Sequence, residues 1–373
     1  MPFPNRDEEP MRQRLAAGCM SGTSLDGIDA ALVRITGEGL GMTAETVRCA
    51  SRPLEALGEA LRPLTEQRPV DAREYARVAL ELGEAHADLL AELAGDERLD
   101  LIAVHGQTVF HDPPLSMQLI NPHPIVRRIG APVVFDLRGA DLAAVGQGAP
   151  ITPLADHILF GRCDEARAVV NLGGFANFTR LPPFAKDDEA ALRAIRGGDI
   201  CACNQLLDAI ARRCFQRPYD TDGQRASQGR INEAAHRALL PILWAQANAG
   251  RSLGSGDELA DWAGGHGAVC PGDDLARTAA AAIAQVIAES LGESDRVILA
   301  GGGALNQTLW GELSQRSKAP VMRSDNLGVP AQYREAIAMA VLGGLCADGV
   351  PITLPQVTGC ARPAPIAGCW AYP

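Results

Sequence analysis

The twelve residues Gly18-Cys19-Met20-Ser21-Gly22-Thr23-Ser24-Leu25-Asp26-Gly27-Ile28-Asp29 constrain this chain more than any other stretch. A strand-like run (residues 15–19) enters them and a β-compatible run (residues 28–35) leaves them. The glycines, hydroxyls and Asp26 between suit a tight turn with exposed backbone N–H groups. Such a concavity of amides holds phosphate oxygens without a fixed positive charge. A Walker A loop is excluded, because its lysine is missing and a strand, not a helix, follows. What remains is a phosphate-gripping β-hairpin or, on the plainest reading, an ordinary polar turn.

At 373 residues the chain outgrows the ~250–300 at which a single core stops growing, so two domains are expected. A net charge of −11 argues against nucleic acid or anionic membrane as partner. No stretch approaches a transmembrane span. An acidic protein can still bind ATP, since Mg²⁺ and backbone dipoles carry the phosphates. Ala16-Ala17-Gly18-Cys19 looks like a lipoprotein cleavage box, but residues 5–14 are almost all polar where a signal peptide is apolar. Ten scattered cysteines read as reduced cytoplasmic thiols. Cys201, Cys203 and Cys214 lack the second close pair or His cluster of a zinc site.

The pattern along the chain is α/β. Residues 1–14 read as a disordered leader. Residues 72–94 carry Val78, Leu82, Leu89, Leu90 and Leu93 on one stripe, with Gly95 placed as a C′ glycine, which predicts an amphipathic helix. Short strands are expected at 42–50, 99–105 and 133–136, then a helix at 154–160. A second series follows: strands at 166–171 and 173–181, helices at 203–215 (with Asn204 as a cap), 231–247 and 275–291, a strand at 296–300, and helices at 304–316 and 335–348. The tail beyond Val350 is Pro-rich. Two α/β halves result. Asn171-Leu172-Gly173-Gly174-Phe175-Ala176-Asn177 in the second echoes Met20-Ser21-Gly22-Thr23 in the first. The expected organisation is a leader (1–14), an N-terminal domain (15–145) with the C-terminal segment 346–373 packed on it, and a second domain (146–345).

Polar residues at strand ends face the cleft of an open α/β sheet. His105 and Gln107 there could hydrogen-bond sugar hydroxyls, or merely cap their own loop. Asp136 could accept from a substrate hydroxyl or hold a Mg²⁺-bound water; an Asp136–Arg138 or Asp141–Arg138 ion pair is the competing explanation. Gly146-Gln147-Gly148-Ala149-Pro150 allows close ligand approach and also reads as a hinge. Asp199, after Gly197-Gly198 and before a helix opened by Asn204, is placed at a strand–helix junction. A carboxylate there can take a proton from a nucleophile during phosphoryl transfer. Gly301-Gly302-Gly303-Ala304 with Asn306, between a strand and a helix, favours adenosine or phosphate approach over simple packing. Asp220-Thr221-Asp222-Gly223 reads first as a self-capping turn, and Glu335 as a helix-start carboxylate or a ligand.

Together these segments resemble the anhydro-N-acetylmuramic acid kinase family, sugar kinases of the actin-like ATPase superfamily. The resemblance spans residues 15–359 or so. It is carried by Met20 to Asp29, His105-Gly-Gln-Thr-Val-Phe-His111, Gly146-Gln-Gly-Ala-Pro150, Asn171 to Asn177, Pro218-Tyr-Asp-Thr-Asp-Gly223 and Gly301-Gly-Gly-Ala-Leu-Asn306. It implies a two-domain actin-like (ribonuclease H-like) fold with a nucleotide cleft. It also implies ATP-dependent, hydrolytic opening of 1,6-anhydro-N-acetylmuramic acid with phosphorylation of O6, in cytoplasmic cell-wall sugar recycling. Asp199 matches the aspartate that activates water. Gly22, Thr23, Ser24, Leu25, Asp26, Gly27, Ile28 and Asp29 match the ATP-binding segment, joined by Asn171, Gly173, Gly174, Gly301, Gly302, Gly303 and Asn306. The sugar side is assigned to His105, Gln107, Asp136, Arg138, Gln147, Asn204 and Glu335. ATP and Mg²⁺ are the implied cofactors, with Asp26 the candidate to hold the metal through water. Small molecules are the partners, and a homodimer is left open.

Two departures bear on the substrate. The family reads Asp-Thr-Gly-Pro-Gly-Asn at the base, whereas this chain has Asp199-Ile-Cys-Ala-Cys-Asn204. Its Ser-Thr-Gly-Arg-Glu segment is only echoed by Ser252-Leu-Gly-Ser-Gly-Asp-Glu258, without the arginine. A kinase for another anhydro-sugar such as levoglucosan, and a non-catalytic ATP or sugar sensor, are the alternatives.

Overall fold

A computed structural model describes residues 11–22, 25–183, 189–254, 256–267 and 270–373. Thr23 and Ser24, and most of the leader, lie outside the described residues. The strands are β1 (Gln13–Ser21), β2 (Gly27–Thr36), β3 (Thr43–Pro53), β4 (Leu101–Val104), β5 (Gln107–Asp112), β6 (Leu115–Leu119), β7 (Val133–Phe135), β8 (Arg167–Leu172), β9 (Phe175–Leu181), β10 (Arg196–Ala202), β11 (Arg296–Ala300), β12 (Val321–Arg323) and β13 (Cys369–Ala371). One sheet runs β3-β2-β1-β4-β7-β13 and the other β10-β9-β8-β11-β12; β5 and β6 form a separate hairpin.

The two sheets follow one plan. Three antiparallel strands (β1–β3, β8–β10) come first, and the first strand of each trio then pairs in parallel with later strands (β4 with β7, β11 with β12). This is the doubled ribonuclease H-like plan of the two-domain actin-like ATPases. Parallel strands need crossover connections, and the helices that make them cover both faces of each sheet. Alternate residues therefore bury in opposite directions. Ala17, Cys19, Ile28 and Leu32 face the helices Glu55–Thr65, Ala72–Ala94 and His123–Ile129. Ala16, Ala31, Val33 and Ala103 face an inner layer made by the helices Pro153–Phe160 and Arg334–Ala347. Val169, Leu181 and Ile298 close that layer from the second sheet, whose far face packs on Asn204–Ile210, Glu233–Ala247, Gly272–Ser290 and Gln307–Arg316.

The inner layer is pinned by ions as well as by apolar contact. Arg334 and Asp156, both essentially inaccessible, pair through the Arg334 Nε–Asp156 Oδ1 bond (2.9 Å) and a second shorter contact. Thr152 and Thr179 hydroxyls add bonds of 3.1 and 2.6 Å. Gly18 sets how closely the helix approaches β1: a Cβ there would lie 2.0 Å from the Ala336 carbonyl oxygen.

Several boundaries depart from those read in the sequence. β1 starts at Gln13, inside the expected leader. The helix expected at 203–215 is α-helical to Ile210 and continues as a π turn over Ala211–Phe215. Helix Arg334–Ala347 lies against β1, β2 and β4 of the first sheet. The tail holds a short helix, Pro355–Thr358, and β13, which pairs with β7.

Candidate active site

The β1–β2 turn is held from behind. Leu54 N–H donates to the Asp26 carbonyl (3.1 Å), and the buried Leu25 and Ile28 side chains belong to the core. Their side chains are thus turned away from the turn's outer surface, and Leu25 N–H donates to the Gly22 carbonyl (3.3 Å). Asp29 projects from β2, where Ser51 of β3 donates to it (2.5 Å) and the Tyr333 and Gln332 side chains join the Ser51 hydroxyl. Burial raises the Asp29 carboxyl above the usual range, opposed by the Ser51 bond, while Asp26 and Glu335 raise it further.

The matching β8–β9 turn carries Gly173 and Gly174. Their carbonyls accept from Asn204, Cys203 and Gln205 N–H groups at 2.9–3.1 Å, fixing the start of helix Asn204–Ile210 to the turn. Cys203, not Asn204, occupies the cap position, and Asn204 Nδ2 instead donates to the Leu172 carbonyl (3.1 Å). Gly301 takes φ +80°, and a side chain there would meet Asn171 Oδ1 at 2.7 Å, so the β11 turn hugs β8. Gly302 has open space above its Cα. Asn306 Oδ1 is spent capping helix Gln307–Arg316 through Thr308 and Leu309 N–H. The Asp220 carboxylate caps Arg225 and Ala226 N–H, as a turn residue does.

Arg138 organises the sugar-side residues. Its Nε donates to His105 Nε2 (2.9 Å) and its Nη1 to the Gly148 carbonyl (2.7 Å). His105 Nδ1 then carries the proton and donates to the Gly106 carbonyl (2.9 Å). Burial, with Arg138 adding, pushes that imidazole down to about 3, so it is neutral. Both ring nitrogens are occupied. His105 is the prop of Arg138 rather than the direct sugar contact expected from sequence. Asp136 likewise caps Gly139 N–H (3.0 Å), and in place of the competing Asp136–Arg138 or Asp141–Arg138 ion pair Arg138 makes the His105 and Gly148 bonds. Gln147 exposes its side chain. Gln107 is fully buried, and its Oε1 has no partner among the described residues.

Asp199 lies on β10, at the bulge between Asp199 and Cys201, one turn of chain before the helix that Asn204 opens. Its Oδ2 accepts from Leu253 N–H (2.8 Å). Burial raises its carboxyl, while the Leu253 bond and Arg138 hold it down. Cys201 and Cys203, which replace the expected glycines, point their side chains into the core at 0% exposure. The altered base loop therefore changes core packing rather than the cleft surface.

Charge links show which residues converge. The Arg138 guanidinium, lowered by burial to about 10, feels Glu335, Asp199 and Asp141. Glu335, raised by burial, feels Arg334 and Arg138 and takes a hydrogen bond from Asn171. Asp208 on the second wall is raised to about 6 by burial; Arg212 opposes this and Asp26 of the first hairpin adds to it. These links tie Arg138, Glu335 and Asp199 into one charge-coupled group and bring Asp208 under the influence of Asp26 of the first hairpin. The described cavities of about 710 and 310 Å³ are lined by none of these residues. Sequence reading missed Ser51, Tyr333, Asp156, Arg334 and Asp208. Only Asp208, four residues after Asn204 on the same helix, carried a local signal.

A doubled fold of this plan with a glycine turn on each cleft wall belongs to the actin-like class that includes ATP-dependent sugar kinases. A family model described as anhydro-N-acetylmuramic acid kinase matches residues 14–372. The anhydro-N-acetylmuramic acid kinase of Salinibacter ruber is 34% identical, covering 95% of each chain; that of Bordetella pertussis is 37% identical, covering 96% of each. A solved ROK-family glucokinase from Streptomyces griseus, in complex with glucose and AMPPNP, aligns at 14% identity and TM-score 0.41 over 88% of this chain and 99% of that one. The chain belongs to the anhydro-N-acetylmuramic acid kinase family and is an ATP-dependent sugar kinase.

Proposed function

We propose that the chain opens 1,6-anhydro-N-acetylmuramic acid with water and phosphorylates the freed O6, giving N-acetylmuramic acid 6-phosphate and ADP, with Asp199 as general base. Asp199 takes a proton from water as the water oxygen bonds C1 and the C1–O6 bond breaks. O6 then bonds the γ-phosphorus as the bond to the β-phosphate oxygen breaks. The observation that carries this is the Asp199 carboxylate itself, oriented by Leu253 N–H at 2.8 Å and held toward its charged form by Arg138 against the effect of burial. A carboxyl raised by burial is a stronger base than a solvated one. Backbone N–H groups of the β1–β2 and β8–β9 turns and open Gly302 suit the phosphates. Gln107 and Glu335 suit sugar hydroxyls.

Mg²⁺ neutralises phosphate charge when bound. Among the described residues no cluster of three or more His, Cys, Asp or Glu can hold a metal by itself. That fits an ion which keeps several waters and uses substrate phosphates with one or two carboxylates; Asp26 would hold it through water. Ten unpaired cysteines suit a reducing cytoplasm.

Asp199→Asn tests the reading. Turnover of the anhydro-sugar, followed by mass detection of the hydrated phosphorylated product, should drop by ~10²–10⁴, with ATP affinity changed less than a few fold. Near-normal turnover sinks the assignment.

A further inference from the structure

Asp141 is fully buried, yet among the described residues no cationic side chain bonds it directly. Its Oδ1 accepts from the Thr358 hydroxyl and its Oδ2 from Gly148 N–H, each at 2.7 Å. Its carbonyl accepts from Gly146 N–H, and the Thr358 carbonyl accepts from Gln147 N–H, both at 2.8 Å. Thr358 is 1% exposed and ends the short C-terminal helix, more than 200 residues from Asp141 in the chain. The 146–148 loop is therefore clamped on both sides, and the carbonyl it presents, Gly148, is the one Arg138 Nη1 donates to.

From this network we infer that Thr358 and Asp141 are positioning residues for the reaction: the C-terminal segment braces the Gly148 carbonyl, which with His105 aims Arg138 at Asp199 and Glu335. The inference rests on the assignment of Asp199 as base. The Thr358–Asp141 and Asp141–Gly148 links are oriented bonds between buried groups and the Arg138 links are half-buried, so loss of the hydroxyl is transmitted more than it is absorbed by solvent. Asp199 is faced by Arg138 from the first lobe and by Asp257 and Arg251 from its own. Arg138 is faced by Glu335, Asp199 and Asp141, with His105 and His111 beside it. A loosened Arg138 neutralises Asp199 less, and a base less neutralised holds its proton to higher pH.

The test compares Thr358→Val, nearly isosteric but without the hydroxyl, with Thr358→Ser, which retains it, both in the full chain. For Thr358→Val the acid limb of kcat/KM against pH should move up by about half a unit. kcat should fall roughly tenfold, and KM for ATP should stay within about twofold, since the hairpins are untouched. Thr358→Ser should match wild type. If Thr358→Val does not fold, Thr358→Ala serves, because it also removes the hydroxyl that Asp141 Oδ1 accepts from without changing any charge that faces Arg138, and it should shift the limb the same way. An unmoved acid limb in the folded variant, with Asp199→Asn inactive, overturns the brace and leaves the base assignment standing. An active Asp199→Asn enzyme overturns the base assignment and the brace with it.

Discussion

Arg138 is the residue on which the cleft's charges balance, because it alone is shared by Glu335, Asp141 and Asp199 among the shifts described. Its guanidinium opposes the burial that raises Asp199, so Arg138→Met should raise that carboxyl further. A base must be deprotonated to act, and the acid limb of kcat/KM therefore moves to higher pH, by about a unit at most in a partly solvated cleft. Arg138→Lys keeps a charge but cannot hold His105 Nε2 and the Gly148 carbonyl at once in the same planar geometry, so its profile should fall between. A pH–rate series on the three proteins decides it; an acid limb that stays in place for Arg138→Met removes Arg138 from the chemistry. At this scale the sequence disclosed groups that stand in short polar runs, such as Asp199, Arg138 and Glu335. It concealed groups whose meaning depends on remote partners. Ser51 reads as any strand serine until Tyr333 is brought to it, and Thr358 as any tail threonine until Asp141 is.

Among the elements, those with a strong period were legible. Residues 72–94 carry their apolar stripe through six turns and fold as the helix Ala72–Ala94, with Asp71 capping it through Glu74 N–H at 2.8 Å. β10 was not read, because Arg196-Gly197-Gly198-Asp199 offers neither alternation nor β-branched residues; it is recruited by pairing with β9. Gly18 shows the same limit from the other side. It was read with the phosphate turn, yet its role is to let helix Arg334–Ala347 lie on β1. Gly18→Ala would place a methyl 2.0 Å from the Ala336 carbonyl oxygen and 2.4 Å from Ala340 N. The helix must shift, and Arg334 and Glu335 shift with it. Overpacking of this kind costs roughly 1–3 kcal/mol. The urea midpoint should fall accordingly and KM for the sugar should rise, while an unchanged midpoint would show that the helix does not sit this close.

Across the whole molecule, three histidines are neutral inside the layered core. Burial lowers His86 to about 4, His105 to about 3 and His157 to about 4. In the unfolded chain each takes a proton near pH ~6.5. Between there and their folded values the unfolded state binds more protons, so their contribution to stability is full above about 6.5 and is lost as the pH falls. Asp199, Glu335, Asp29 and Asp208 work the other way. Their carboxyls are raised by burial, so the folded state takes up protons first and gains stability as the pH drops through their range. The two sets oppose each other, and the net slope of the native protein does not by itself identify either. A single substitution does. His86 sits at 0% exposure with Nδ1 donating to the Leu82 carbonyl at 2.8 Å and Nε2 unpartnered, far in sequence from the cleft carboxylates. His86→Leu removes one proton's worth of linkage, about 1.4 kcal/mol per pH unit. Urea unfolding of both proteins from pH ~7 to ~4.5 should show the difference in stability, variant minus native, rising steadily as the pH falls below about 6.5. A constant difference across that window would mean that His86 takes up its proton in the fold as it does in the unfolded chain.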